Sequence, residues 1–186
     1  MSKFILITGG ARSGKSRFAE KMAAEQGEKV VYIATAIAFD EGMKDRIKKH
    51  QQDRPQIWKT IERYKDFNAL KEDRAFIESD CILLDCVTLM VTNLILESNL
   101  DFDNCSMEDI DVLEQGIFKE IEILLDITAH HHKDAIIVTN EVGMGLVPAY
   151  RMGNIFRDIA GRVNQYIAGR ADEVYLTVSG IEMKIK

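Results

Sequence analysis

The stretch Gly9-Gly10-Ala11-Arg12-Ser13-Gly14-Lys15-Ser16 constrains this chain more than any other. It fits G-x-x-x-x-G-K-[ST] and sits where that pattern has meaning, after an aliphatic run and before a helical one. Phe4–Thr8 reads as a buried strand, and Ser16–Gln26 carries Phe18, Ala19, Met22 and Ala23 at a spacing near 3.6. A strand that feeds a glycine turn and then a helix lets backbone N–H groups converge on an anion without Cβ clashes. The helix N-terminus adds partial positive charge. Lys15 supplies a full charge to β- and γ-phosphates, and the Ser16 hydroxyl suits Mg²⁺. Binding of a nucleotide's phosphates is the expected function class.

Three further apolar runs, Val30–Ala34, Cys81–Leu84 and Ala135–Thr139, lack clean alternation and read as parallel strands covered on both faces. Glu173–Val178, the turn signal Ser179-Gly180 and Ile181–Ile185 read as a hairpin at a sheet edge. Helices are expected over Asp40–Gln52, Val87–Leu96, Asp109–Thr128 and Tyr150–Ala168, the last with Pro148 near its start. The polar stretch Leu96–Met107 reads as a surface excursion. Alternation of strand and helix predicts one three-layer α/β domain over residues 1–186, with a mostly parallel sheet and a C-terminal antiparallel edge.

Composition narrows the partners. Lys and Arg total 24 against 30 Asp and Glu, a net charge of −6, which disfavours a nucleic-acid coat. The odd number of cysteines, three, suits reduced thiols, and Cys81 and Cys86 read as small buried hydrophobes. The first apolar stretch is too short for a signal peptide, and no run approaches a membrane span. A cytoplasmic protein is expected.

Ile82-Leu83-Leu84-Asp85 ends an apolar run in a carboxylate, the form expected of Mg²⁺ support beside a phosphate loop; the bland alternative is that Asp85 caps the following helix. Glu141, which ends the next strand, is a second candidate for that Mg²⁺ support, because strand C-termini of a parallel sheet face the ligand crevice. His50 lies in the basic segment Arg46–Pro55. An exposed histidine on a charged helix is usually only solvated, yet histidine is also a covalent nucleophile toward phosphorus, and spacing does not decide. His130, His131 and His132 precede a strand's N-terminal end, the wrong edge for the site. Trp58 reads as a packing residue.

Taken together, several segments resemble the bifunctional adenosylcobinamide kinase / adenosylcobinamide-phosphate guanylyltransferase family of the cobalamin pathway. They are Ile7–Arg17, Tyr32–Thr35, Arg46-Ile47 with His50 and Arg54-Pro55, Met90–Leu94, Val138–Gly145, Phe156–Gln165 and Ala171–Ile181. The resemblance implies phosphorylation of adenosylcobinamide by ATP or GTP. It then implies transfer of GMP from GTP to the resulting phosphate through a GMP-histidine at His50, with release of pyrophosphate. Lys49 precedes His50, where some members carry a second histidine. The family's nucleotide site maps onto Gly9–Ser16 (Gly9, Gly10, Ala11, Arg12, Ser13, Gly14, Lys15, Ser16), Ala34, Thr35, Ala36, Gln51, Gln52, Asp53, Glu62 and Asp85. Ser16 and Asp85 stand as the Mg²⁺ candidates, and Glu141, Arg157 and Asn164 as candidates for gripping the corrinoid. A RecA-like P-loop NTPase fold and a homotrimer are likewise implied. The rival readings are a single-activity P-loop kinase, which needs Lys15 but not His50, and a GTP-binding switch without chemistry.

Overall fold

The computed structural model describes residues 2–37, 54–145 and 147–186. The expected helix Asp40–Gln52, and with it His50, Gln51, Gln52 and Asp53, therefore lies outside the described residues. Among the described residues, seven strands form one sheet: β1 (Phe4–Gly9), β2 (Val30–Ala34), β3 (Lys59–Glu62), β4 (Cys81–Asp85), β5 (Asp134–Val138), β6 (Glu173–Val178) and β7 (Ile181–Lys184). Their order is β3-β2-β4-β5-β1-β6-β7. Every pairing is parallel except β6 with β7. The helices are α1 (Lys15–Gln26), α2 (Arg74–Glu78), α3 (Val87–Glu97), α4 (Met107–His130) and α5 (Arg151–Arg170), with 3-10 turns at Phe67–Glu72 and Val142–Met144. No described helix is long and apolar enough to cross a membrane.

Strand side chains alternate between two cores, which is why the inner strands read as unbroken apolar runs. Ile5, Ile7, Tyr32, Leu83, Ile136 and Val138 face α1, where Ala19 and Ala23 permit close approach. Leu6, Val31, Ile33, Ile82, Leu84 and Ile137 face α3, α4 and α5. The three-layer α/β architecture follows. Helix α3 buries residues on several faces, as its all-round apolar sequence requires. Helix α4 starts two residues before the expected Asp109 because Ser106 and Asp109 form a reciprocal capping box. Cys81 and Cys86 are buried, and burial pushes both thiols up to about 12, so they behave as small hydrophobes. Trp58 is buried against the α1 face.

Three features depart from expectation. β3 adds a strand beside β2 in a run where Ile61 is the only apolar residue. The 3-10 turn and α2 bury Phe67, Leu70 and Phe76 completely within a segment rich in charge. The stretch after α3 is not simply a surface excursion: Phe102 is buried, and the Arg151 guanidinium donates to the carbonyls of Phe102 (2.6 Å) and Cys105 (3.0 Å).

The antiparallel edge is pinned by Glu173, which meets Lys3 Nζ at 2.8 Å and Lys184 Nζ at 2.9 Å and accepts from the Tyr175 hydroxyl at 2.7 Å. Hydrogen bonds from Lys3, Tyr175 and Lys184, in that order, pull its carboxyl from 4.5 down to about 2. A depressed carboxyl stabilises the fold above its unfolded value and loses that contribution as pH falls through the folded value. Glu173→Gln should lower the melting temperature at pH 7. Thermal melts should show that gap shrinking below about pH 4.5 and closing near pH 2; a gap independent of pH would contradict the assignment.

Candidate active site

Because five strands run parallel from β3 to β1, their C-terminal ends share one edge, and a cleft of about 550 Å³ opens there. Of the residues expected at a site, Gly10, Ala11, Arg12, Lys15, Ser16, Ala34, Ala36, Glu62, Asp85 and Glu141 line it. Gly9, Ser13 and Thr35 are buried and Gly14 is exposed, and none of the four is among the lining residues.

The glycine turn is shaped by the β6–β7 hairpin. The Gly180 N–H donates to Ser13 O at 2.8 Å. A Cβ on Gly9 would lie 2.4 Å from Thr177 O and 2.8 Å from Ser13 Oγ. Gly14 has φ +100°, the left-handed region that favours glycine, and packs on Gly180. Arg12 also has positive φ (58°). Lys15 opens α1, is buried, and donates from Nζ to Gly10 O at 2.9 Å, so its ammonium is folded back over the turn that it completes. No acidic residue occupies the first turn of α1, which keeps the helix's N-terminal charge for an anion.

Asp85 is held from the neighbouring strand. The Tyr32 hydroxyl donates to Asp85 Oδ2 at 3.0 Å. Burial first, and then the Asp85 charge, push the ionisation of Tyr32 far above its ordinary range, so it stays a donor. Asp85 Oδ1 has no hydrogen-bond partner among the described residues. Asp85 does not cap α3: the cap position is Cys86, without a side-chain hydrogen bond. Thr35 Oγ1 bonds both the N–H and the carbonyl of Cys86 at 2.8 Å, and Asn93 Nδ2 donates to Thr35 O at 2.7 Å. Thr35 thus ties the end of β2 to the end of β4 rather than facing the cleft. Ser16 and Asp85 bring a hydroxyl and a carboxylate oxygen to the same cleft, a donor set that fits Mg²⁺ completed by phosphate and water. The described residues hold no group of three or more His, Cys, Asp or Glu that could bind a metal alone.

The three corrinoid candidates separate. Glu141 lines the cleft. Asn164 does not: it is buried, accepting from Thr139 Oγ1 at 2.7 Å and donating to Asn140 O at 3.0 Å. Arg157 sits on α5 against Asp158 at 3.3 Å and is not among the lining residues. The histidine triplet ends α4, away from the cleft, where His131 stacks edge-on against Phe76. Arg54, which is not among the residues expected at the site, also lines the cleft. Its guanidinium lies 3.2 Å over the Tyr32 ring and 3.7 Å from Glu20, and its buried Nε and Nη1 have no hydrogen-bond partner among the described residues. Its place at the end of the basic run Arg46–Arg54 was the available signal.

A glycine nest at a helix N-terminus, a buried lysine and a strand-end carboxylate in one cleft define a P-loop nucleotide-binding protein. Residues 5–185 match the family described as cobinamide kinase / cobinamide phosphate guanyltransferase, and the chain belongs to that family. It is 46% identical over 182 residues to the bifunctional adenosylcobalamin biosynthesis protein CobU of Escherichia coli K12, covering 98% of this chain and 99% of that one. It is 40% identical over 181 residues to the corresponding CobP of Pseudomonas aeruginosa, covering 97% and 96%. Among solved structures, the flagellar accessory protein FlaH of Methanocaldococcus jannaschii aligns with a TM-score of 0.47 at 16% identity, over 99% of this chain and 78% of that chain.

Gly9→Ala should cost about 1–3 kcal/mol of stability by overpacking against a backbone carbonyl that cannot yield, and it should weaken nucleotide binding. Gly10→Ala, whose Cβ would meet nothing within 4 Å, should stay within about 0.5 kcal/mol of wild type. Denaturant unfolding of the two variants, with nucleotide titration of each, checks the pair.

Proposed function

We propose that this chain phosphorylates the aminopropanol hydroxyl of adenosylcobinamide with a nucleoside triphosphate and then transfers GMP from GTP to that phosphate through His50. The observation that supports it best is the meeting of the Gly10–Ser16 turn, Lys15 and Asp85 in one cleft, in a chain that a family with both activities matches almost end to end. Phosphoryl transfer asks the protein chiefly for positioning and charge neutralisation. The turn's N–H groups and Lys15 grip the β- and γ-phosphates. Ser16 and Asp85 would hold Mg²⁺, which would supply further neutralisation of phosphate charge when bound.

In the first half-reaction the acceptor oxygen bonds to the γ-phosphorus and the β–γ bridge breaks, releasing the diphosphate. In the second, a neutral imidazole nitrogen of His50 bonds to the α-phosphorus and the α–β bridge breaks, releasing pyrophosphate. The cobinamide phosphate oxygen then displaces the imidazole, the N–P bond breaks, and adenosyl-GDP-cobinamide leaves. The same turn therefore holds the transferred group in one reaction and the leaving group in the other. A cytoplasmic homotrimer completes the reading.

Purified wild type, His50→Ala and Lys15→Ala should be incubated with Mg²⁺ and GTP and weighed intact at alkaline pH, where a phosphoramidate survives. Wild type should gain the mass of GMP and His50→Ala should not, while His50→Ala still phosphorylates cobinamide. Lys15→Ala should lose phosphorylation by about 10²-fold or more. Absence of the adduct on wild type that binds GTP would leave at most a single-activity kinase. Absence of both reactions would leave a nucleotide-binding switch.

A further inference from the structure

Glu141 is a cleft carboxylate that the scheme above leaves without a task. It directly follows Asn140 at the end of the β5 strand run, and its N–H donates to Gly9 O at 3.2 Å, which fixes it to the first residue of the glycine turn. Its two oxygens differ. Oε1 accepts from Thr8 Oγ1 at 2.6 Å and from Asn164 Nδ2 at 3.3 Å. Oε2 has no hydrogen-bond partner among the described residues, and neither oxygen is ion-paired among them. Behind it runs a buried polar chain, with Thr139 Oγ1 donating to Asn164 Oδ1 and Thr88 Oγ1 accepting from the Asn140 N–H at 2.8 Å. A carboxylate gripped through one oxygen and open at the other is oriented to accept a proton or a cation.

The chemistry separates those two uses. Asp85, at the tip of β4, is held independently by Tyr32 through Oδ2, and its Oδ1 has no hydrogen-bond partner among the described residues. Of the three bond-forming steps, only phosphorylation of the hydroxyl releases a proton from the nucleophile. The imidazole attacks through a lone pair, and the cobinamide phosphate is already an anion. The apolar side chains of Val142 and Met144 border the cleft directly after Glu141, and Met144 is 77% exposed, as suits the approach of a large acceptor with extensive apolar surface.

Resting on the bifunctional reading, we propose that Glu141 is the general base of the phosphorylation half-reaction alone. Its Oε2 takes the proton of the acceptor hydroxyl as the new O–P bond forms at the γ-phosphorus and the β–γ bridging bond breaks, and the carboxyl returns that proton to solvent after product release.

Glu141→Gln keeps an Oε1 acceptor for Thr8 and Asn164 while removing the proton acceptor. Its kcat for cobinamide phosphorylation with Mg²⁺ and ATP should fall by about 10²–10⁴-fold. GMP-adduct formation from Mg²⁺ and GTP, read by intact mass, should reach the wild-type extent, which also reports that the variant is folded. Added formate should restore part of the phosphorylation rate to Glu141→Ala and do nothing for Glu141→Gln. Loss of adduct formation together with phosphorylation would place Glu141 in the nucleotide and metal set and overturn the proposal, as would full phosphorylation by Glu141→Gln. A wild type that forms the adduct but never phosphorylates cobinamide would overturn the kinase reading itself, and this proposal with it.

Discussion

The contact on which the rest of the site depends is the backbone approach of the β6–β7 turn to the glycine loop. The Gly180 N–H meets Ser13 O, and Thr177 O occupies the space that any side chain at Gly9 would need. A phosphate nest is a set of N–H groups held in an orientation that a free turn would sample only rarely, and ordering each residue costs about 1–2 kcal/mol of backbone entropy. Here that ordering is shared with the sheet. β6 pairs with β1 through Gly9↔Thr177, so the last hairpin of the chain and the first turn of the chain are shaped together. Glu173, with its two lysine partners, anchors the same hairpin at its other end.

A second constraint is the burial of polar groups just behind the cleft. Thr8, Thr139, Asn164 and Thr88 are each under 10% exposed, and an unsatisfied buried polar group costs roughly 1–3 kcal/mol. They avoid that cost by bonding in sequence from α3 through β5 to α5 and on to Glu141. The consequence is a carboxylate whose orientation is set from β1, through Thr8, and from α5, through Asn164. Asp85 is set by a different group, Tyr32, which is itself covered by Arg54. Two acids at one sheet edge are thus positioned by unconnected networks, the arrangement needed if they are to do different work.

Much of this was legible in the sequence because the deciding information is local. The glycine turn, the apolar β1, β2, β4 and β5 runs and the Ser-Gly hairpin each carry their own signal. β3 does not: Lys59-Thr60-Ile61-Glu62 is polar, and it is a strand because β2 would otherwise present an unpaired edge. Phe67, Leu70 and Phe76 were hidden by the charged residues between them, since a 3-10 turn does not keep a 3.6-residue period. Asn164 looked like a polar helix residue free to meet a substrate, but its partners lie 23 to 25 positions away, beyond any local pattern. Arg54 acquires its meaning only when Tyr32 comes beneath it.

The strand order bears on how one nucleotide site would serve the two nucleophiles of the proposed reactions. Glu141 follows β5, next to β1 and the glycine turn. The segment that carries His50 leaves β2 and returns to β3, and Ala36 and Arg54, which bracket it, line the opposite side of the cleft. β4, with Asp85 at its tip, lies between. On the reading proposed above, a triphosphate whose β- and γ-groups rest on the turn would meet the acceptor hydroxyl from the β5 side, where Glu141 lines the cleft. In-line displacement requires the nucleophile opposite its own leaving oxygen. Attack at the γ-phosphorus expels the bridge toward the nucleoside, while attack at the α-phosphorus expels the bridge toward the turn. The two proposed reactions need approach from opposite directions along the phosphate chain, and a cleft whose two sides are parted by the Asp85-tipped strand β4 would allow both.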